Sequence, residues 1–598
     1  MPKEFCSLIM LEEARSIVLD HAPRPDEEAV PLERARGAVL AEKVISPVDV
    51  PGFSRASMDG YAVHAGDTLL SREDWPVRLQ LAGSVPMGAF ASVQVAKGEA
   101  VEVSTGAMMP AAADAVVMIE YSQLEGDEIL IRRPVYAGEN VQPAGSDIAL
   151  GEVVLFAGTR LGARELGVLA ALGRELVRVR TLRVGVASTG NELVTPGRIL
   201  GPGQIYDINS YSVAAAVEEC QATAIGYGIL PDRKEDMEAA LQKMAKECSL
   251  ILVSGSTSAG AGDMIYQVLD EIGETIFHGV NLKPGKPTIF GLIDGTPCLG
   301  LPGYPTSALT VFGLLAAPAI QKALGLKVQG RKLKGRLARP VRSESRLQML
   351  AVGVFGALVY PVDKGSGSIT TLANADGVIE IPADVERLER SDAVEVHLFG
   401  EPEDPDLVVA GENSLLLERL AETLPFRVKL LNVGSIQGRI FLEDGLADLA
   451  CVSGPQKQTE GLTFLQGFSR ELGLIFKDEQ ALQDIGRSRI VGWPKDSAMR
   501  GIWEGVLNDQ GISDPKYVRL ARTHSAIAAA VAGSQADLGF GEKEAAEQAG
   551  LGFLPLTEDE IYFLANPGKM NDPALESFIS AAREGRAALG PSFSARSS

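Results

Sequence analysis

Apolar residues at Leu8, Leu11, Ala14, Ile17 and Val18 recur at helical spacing and predict a helix over residues 7–22. The stretch "PLERARGAVLAEKV" (31–44) predicts a second, shorter one. From about residue 47 to 148 the texture changes. Short runs such as "VRLQLAG", "EAVEVST", "AVVMIE" and "EILIRR" are separated by Gly and Pro, which predicts a small, mainly β unit. Residues 159–180 return to helix with "RELGVLAALG". From 182 the pattern alternates. "LRVGVAS", "ATAIGYGIL", "SLILVSG" and "TPCLGLPG" read as strands. "SYSVAAAVEECQ", "KEDMEAALQKMAKE", "DMIYQVLDEIG" and "PTSALTVFGLLAAPAI" read as the helices between and after them. Such alternation predicts a parallel sheet wrapped by helices, with ligands at the carboxyl ends of its strands. Residues 329–400 are β-rich again and include a hairpin-like "GSGSITT" (365–371). The acidic, Pro-containing "GEPEDPD" (400–406) reads as a linker. Beyond it a second α/β alternation begins with "DLVVAG", "SLLLERLAETL", "RVKLLNVGS" and "ADLACVSG".

Length and charge narrow the function classes. A chain of 598 residues accommodates roughly three to five domains at about 100–200 residues each. Hydrophobic content of 46% and charged content of 22% are ordinary for a soluble globular protein. A net charge of −22 argues against a nucleic-acid partner, which would need a basic face. The five cysteines (6, 220, 248, 298 and 451) are scattered, with no CxxC pair, so neither a disulfide framework nor a zinc site is expected. The N-terminal segment carries acids within its apolar part, unlike a signal peptide. No run of about 18 apolar residues predicts a membrane span. The expected compartment is the cytoplasm.

The loops after the strands of the first α/β region carry the candidate chemistry. They are "STGNEL" (188–193), "LPDR" (230–233), "SGSTSAGAGD" (254–263), "LKPGKP" (282–287) and "LPGYPTSA" (301–308). Small residues let backbone N–H groups approach a ligand, and a helix N-terminus beside such a loop favours anions. Lys283 and Lys286 flank a Pro-Gly turn, and the acids Glu192, Asp232 and Asp263 stand on the neighbouring loops. Acids beside phosphate-binding lysines suit a Mg²⁺ that bridges carboxylates to phosphate oxygens. Each loop alone reads equally well as a turn. Asp263 equally suits a helix cap, and the lysines equally suit solvent. The meeting of five such loops at one sheet edge favours an anion site. A second cluster, "VDVPGFSRASMDGYAVHAGD" (48–67), gathers Pro51, Gly52, Met58, Asp59, Gly60 and Tyr61.

Together with "STGAMMPAAADAVVMIE" (104–120), "GENVQPAGSDI" (138–148) and "GQIYDINS" (203–210), these stretches resemble the molybdopterin molybdenumtransferase family, which includes MoeA and the E domain of gephyrin. The resemblance covers residues 7 to about 400, in order and spacing. It implies a multidomain α/β plus β chain in an elongated four-domain subunit. These are a helical domain I (7–46 with 149–180), a β insert as domain II (47–148), an α/β domain III (181–328) and a β-barrel domain IV (329–400). It implies a homodimer whose β insert serves the cleft of the other copy, so that Asp59 and Asp147 act across from Glu192 and Asp263. The implied reaction inserts molybdate, a substrate, into adenylylated molybdopterin with release of AMP. In that reading Asp59, Glu192, Asp232 and Asp263 are catalytic. Glu192, Asp232 and Asp263 hold Mg²⁺. Thr105, Asp147, Ser254, Gly255, Ser256, Lys283, Lys286, Pro302, Gly303 and Pro305 contact or shape the substrate site. A molybdopterin adenylyltransferase is an implied partner.

The chain departs from the family pattern. Asn191 stands where Asp is usual, Gln142 where Arg is common, Ser256 where Gly is usual and Tyr304 where Asn is common. These departures keep a second reading open, a molybdate- or pterin-binding scaffold or sensor with altered catalysis. A third, an adenylyltransferase acting one step earlier, fits domain III but not the domains around it. Residues 405–598 resemble the periplasmic-binding-protein-like domain fused to some MoeA proteins. That implies two lobes joined by crossing strands, with an oxyanion between them. Candidate contacts are Gly411–Ser414, Asn432–Ser435, Ser497 and Thr523–Ser525, with Ser414, Ser435, Ser497 and Thr523 foremost. Each equally suits a helix N-cap. The domain is expected to deliver molybdate, sense it or support the dimer.

Overall fold

The computed structural model describes residues 8–255, 264–327, 332–344, 346–362, 368–400, 405–454, 461–495, 497–509, 511–512 and 515–588. It divides into two compact units, Met1–Asn281 with Gly285–Gln329, and Leu282–Pro284 with Gly330–Ser598.

In the first unit the helix Leu11–Asp20 buries Leu11, Ala14 and Val18, the stripe its spacing predicts. The second expected helix is absent. Residues 31–44 hold one 3-10 turn, Leu32–Arg34, and two short strands, Val39–Leu40 and Val44–Ile45. Tertiary pairing overrides the local pattern there. The strand Leu176–Thr181 pairs with Asp26–Pro31 on one side and Val39–Leu40 on the other. For the same reason only Ala163–Ala171 of the segment 159–180 is helical. The β-rich texture of residues 47–148 corresponds to a sheet. Its six strands, Gly60–Val63 to Glu128–Ile131, form one sheet with apolar clusters built on Val117, Ile129 and Ile131 and on Val101, Val103 and Val116.

Four apolar runs then build the α/β core as β1 (Arg183–Thr189), β2 (Thr223–Leu230), β3 (Leu250–Ser254) and, later, β6 (Thr296–Leu301). Between them lie helices α1 (Asn209–Glu219), α2 (Lys234–Glu247) and α3 (Met264–Ile272) and strands β4 (Glu274–His278) and β5 (Ile289–Ile293), with α4 (Pro305–Val311) following. The sheet order is β2-β1-β3-β6-β5-β4. β2, β1, β3 and β6 run parallel, but β5 runs antiparallel to both β6 and β4, so the sheet is mixed rather than wholly parallel. Of these parallel strands β1, β3 and β6 bury both faces, as expected where helices cover each side, whereas the edge strand β2 is only partly buried. Their carboxyl ends therefore share one edge. Helical structure continues from α4 to Leu324, and this apolar stretch, long enough to cross a bilayer, is more than half buried.

The second unit contains a barrel-like sheet to which Leu282–Lys283 contributes a short parallel strand beside Leu347–Phe355. The expected hairpin at 365–371 is not formed in its described part. Ile369–Asn374 is a helix whose Thr371 is buried, with the Thr371 amide donating to Ser368 O. Beyond the barrel come β7 (Leu407–Gly411), α5 (Leu415–Thr423), β8 (Val428–Asn432), α6 (Ser435–Glu443) and β9 (Leu449–Ser453). The long β10 (Thr463–Phe476) leads to β11 (Ile490–Gly492), α7 (Ala498–Asp509), β12 (Tyr517–Leu520), α8 (His524–Ala532) and β13 (Leu538–Glu542). The long β14 (Gly552–Ala565) returns. The sheet order β8-β7-β9-β14-β10-β13-β11-β12 gives two lobes with separate cores, one on Leu407, Val409, Leu449 and Phe563, the other on Trp493, Trp503 and Phe540. β10 and β14 pair along most of their length and cross between the lobes.

The first lobe docks on the barrel through α6. Asp444, just past that helix, accepts from Arg339 Nε at 2.9 Å and pairs with Arg390 Nη1 at 2.9 Å. The Arg339 guanidinium also lies 4.3 Å from the Phe441 ring centroid. Removing one partner of a partly buried ion network costs more than the net worth of the pair. Asp444→Ala is expected to destabilise the C-terminal domain by about 1–2 kcal/mol. The check is urea unfolding followed by tryptophan emission, because Trp493 and Trp503 are buried in this domain and Trp75 is exposed.

Candidate functional site at the strand ends

Small polar residues end the central strands, and each is spent on ordering its neighbours. Ser188, at the end of β1, donates to Asp207 Oδ1 at 2.8 Å and lies 2.9 Å from the Ser210 hydroxyl. Asp207 also accepts the Ser210 amide at 3.1 Å, which satisfies one free N–H at the start of α1. Ser254, at the end of β3, donates to Pro302 O at 3.1 Å and accepts from Asn209 Nδ2 at 2.7 Å. Asn209 reaches Gly303 O as well, at 2.7 Å. One residue thus joins the ends of β3 and β6 to the first turn of α1. Its other side-chain atom, Oδ1, is buried and has no hydrogen-bond partner among the described residues. A buried acceptor left open is costly unless a ligand completes it. Gly255 turns out of β3 at φ +102, and a Cβ there would lie 2.5 Å from Thr189 O. Only Gly allows the two strand ends to approach so closely. Pro302 is buried, and Pro305 opens α4 at its first turn.

The acids lie on the rim. Asn191 N donates to Asp232 Oδ2 at 3.2 Å, and Asp232 N donates back to Asn191 Oδ1 at 3.4 Å. Glu192 is exposed, with its carboxylate folded toward Gly190. Both carboxylates therefore flank one short segment, Gly190–Asn191. Ser256 and Asp263 lie outside the described residues. Lys286 belongs to the first unit, whereas Lys283 belongs to the second, where its Nζ is 2.8 Å from Glu344. That lysine holds the Glu344 carboxyl below its usual range. In the β insert, Asp59 Oδ1 accepts the Thr105 amide at 2.7 Å, and both residues are exposed. Asp147 is exposed, its amide donating to Val50 O at 3.0 Å.

The C-terminal domain has its own buried polar cluster. Arg470, on β10 and 1% exposed, engages Glu542 at 2.6 Å, Asp559 at 2.8 Å, Asn413 O at 3.0 Å and His524 Nε2 at 2.9 Å. Burial opposes its charge, but Asp559 and Glu542 outweigh that and raise its pKa. Burial pushes the His524 imidazole down to about 4, with Glu542 opposing the shift and Arg470 adding to it. The four foremost candidates fare differently. Thr523 caps its own helix by accepting the Ala526 amide. Ser435 and Ser497 donate to the Glu412 carboxylate. The Ser414 hydroxyl is buried without a partner among the described residues.

With the geometry set out, likeness to other proteins decides the family. The MoeA N-terminal region (domains I and II) matches residues 9–173, a probable molybdopterin-binding domain matches 185–322, and the MoeA C-terminal region (domain IV) matches 334–399. A putative molybdopterin biosynthesis protein of Methanocaldococcus jannaschii is 34% identical over 409 residues, covering 67% of this chain and 98% of that protein. The chain belongs to the MoeA family. A molybdopterin molybdenumtransferase of Haemophilus influenzae is 37% identical over 323 residues, 54% of this chain and 79% of that protein. The crystal structure of a MoeA protein from Pyrococcus horikosii superposes with a TM-score of 0.60 at 43% identity, covering 66% of this chain and all of that one. The remaining third is a separate addition to this MoeA framework. A PBP superfamily domain matches residues 417–583.

Three residues of the strand-end cluster escaped the sequence reading as site residues: Asp207, Asn209 and Ser210. Their signal was present in "GQIYDINS" as polar side chains at a helix start, but burial made them informative. Asp207 and Asn209 are 4% and 7% exposed.

Gly255→Ala is expected to push Thr189 and β1 away from β3 and to weaken pterin-substrate binding by about tenfold or more, since displacements near 1 Å carry such costs. Equilibrium binding of molybdopterin measures it. A second expectation concerns pH. The groups facing His524 are Arg470, Glu542 and the Trp493 ring, with Glu412 and Asp559 in the same cluster. Folded His524 protonates near 4, against an ordinary 6.5. The unfolded chain therefore binds the extra proton first, and stability present above about 6.5 is lost as pH falls toward 4. Urea unfolding followed by tryptophan emission across that window is expected to show the loss, and His524→Gln to flatten it.

Proposed function

We propose that the first unit carries out molybdenum insertion: it binds adenylylated molybdopterin and molybdate, cleaves the adenylate, and passes the metal to the dithiolene with release of AMP. The observation that carries this reading is the convergence at one sheet edge of three strand ends, the starts of α1 and α4, and the open acceptor Asn209 Oδ1. A pterin offers ring N–H groups to such an acceptor. Glycine-lined turns and helix starts suit its pyrophosphate. The pyrophosphate and molybdate are both anions. Two unit charges 4 Å apart repel by about 4 kcal/mol at an effective dielectric of about 20. Backbone N–H groups and Lys286 offset that repulsion.

Glu192 and Asp232 are hard oxygen donors flanking one segment, a donor set that fits Mg²⁺ with substrate oxygens completing its shell. Asp263 is the third donor expected from the family resemblance. When bound, the metal supplies charge stabilisation at the cleaved phosphoryl group. Asn191 keeps the rim compatible with that role. Its amide and carbonyl both engage Asp232, where an aspartate would add a like charge. Gln142 is compensated similarly, because Arg55 on the paired strand donates to its Oε1 at 2.9 Å. These two contacts favour an active enzyme over a scaffold. Asp59, Thr105 and Asp147 lie exposed on the β insert and serve the site of a second copy in a homodimer. The reaction takes place in the cytoplasm, with a molybdopterin adenylyltransferase supplying the substrate.

The test is AMP release on mixing the full chain with adenylylated molybdopterin, molybdate and Mg²⁺. Turnover is expected, and Glu192→Gln and Asp263→Ala are expected to slow it by about a hundredfold with binding retained. Tight binding of both substrates without AMP release would favour the scaffold reading instead.

A further inference from the structure

The cleft between the C-terminal lobes is closed around a carboxylate of the chain itself. Glu412 follows β7 in the first lobe and is 2% exposed. Its Oε1 accepts the Ser435 amide at 2.9 Å, the Ser435 hydroxyl at 3.1 Å and the Ala498 amide at 2.7 Å. Its Oε2 accepts the Ser497 hydroxyl at 3.1 Å. Ser435 begins α6 in the first lobe, and Ala498 begins α7 in the second. One carboxylate thus receives the free amides of two helix starts from opposite lobes. That is the hydrogen-bond demand an oxyanion ligand would meet in a two-lobed binding domain. The helix starts alone would say nothing. The chain's own anion, seated between them with four donors, identifies what the position accepts.

Other groups reinforce the closure. The His524 amide at the start of α8 donates to Asn413 Oδ1 at 2.9 Å, and the Leu415 amide at the start of α5 donates to Glu542 Oε2 at 3.1 Å. Both bonds cross between lobes. Charge points the same way. Arg470 is already engaged by Glu542 and Asp559, so no cation of this cluster among the described residues remains to balance an added dianion. Molybdate would have to enter beside three carboxylates, and buried like charges oppose that strongly.

We infer that the C-terminal domain holds an interlobe oxyanion site occupied in cis by Glu412, which latches the lobes shut and excludes free molybdate. The domain is then a rigid, self-liganded module rather than a molybdate carrier or sensor. This inference is independent of the transferase reading. Glu412, Ser435 and Ser497 are all buried.

The test uses the full chain carrying Trp75→Phe, so that emission comes only from Trp493 and Trp503 in the second lobe. Molybdate, sulfate and formate are the probes. In the chain with Glu412 intact, none is expected to change emission or to raise the melting midpoint of this domain. Glu412→Gly vacates two amides and two hydroxyls. Formate is expected to raise that variant's melting midpoint, with an affinity at least about tenfold above that of the Glu412 chain. Glu412→Gln keeps the shape without the charge, and is expected to melt lower than the Glu412 chain and to gain no anion response. If Glu412→Gly does not fold, Glu412→Gln decides, and an unchanged midpoint would overturn the inference. Saturable molybdate binding reported by the tryptophans of the Glu412 chain would overturn it too. So would a folded Glu412→Gly variant as stable as the Glu412 chain and indifferent to formate.

Discussion

The first amides of a helix have no acceptor within that helix. At the carboxyl end of a sheet, where several helices start together, this shortage is the constraint around which both halves of the protein are organised. In the MoeA framework Asp207 satisfies the start of α1 and also holds Ser188 at the end of β1. Asn209 ties that same start to β3 and β6, leaving its Oδ1 open. The helix starts are thereby fixed without being filled. In the C-terminal domain the same shortage at α6 and α7 is met by Glu412. The same kind of edge is left ready for a substrate in one case and filled by the chain in the other.

The difference follows from what each edge is made of. At the end of β3, Gly255 lets β3 and β1 approach closely, since a Cβ there would lie 2.5 Å from Thr189 O, and a serine rather than an acid follows it in the chain. At the end of β7 the chain places Gly411, where φ is +147 and a Cβ would lie 1.9 Å from Cys451 O, directly before Glu412. The close packing of β7 against β9 carries the glutamate into the interlobe space. Arg470 then balances the carboxylates that gather there. Breaking such a buried network is costly because each unpaired charge keeps its desolvation penalty. Closure is therefore built into the fold of this domain and does not depend on a diffusible partner.

Much of the fold was legible from pattern. Every strand and helix read from "LRVGVAS" to the apolar run at 305–320 is present, because helices covering both faces make strands continuous apolar runs. The β insert, the barrel region and the second α/β alternation were legible for similar reasons. The failures share one cause. "PLERARGAVLAEKV" has helical periodicity, but its backbone is taken by Leu176–Thr181, about 140 residues further along. The antiparallel β4 and β5 went unread because strand direction depends on connection geometry rather than composition.

The order of residues by itself determined the family, the fold class and which strands form the α/β sheet, since spacing between apolar runs marks those strands out. It did not determine which polar groups remain available. Glu412 reads in sequence as an ordinary acid after a strand, and Ser435 and Ser497 as ligand contacts or helix caps. Tertiary structure decided among these readings, because a hydrogen-bond donor can be spent only once, and the acceptor nearest in space, not in sequence, takes it. Lys283, read beside Lys286 in sequence, has its Nζ 2.8 Å from Glu344 in the folded chain.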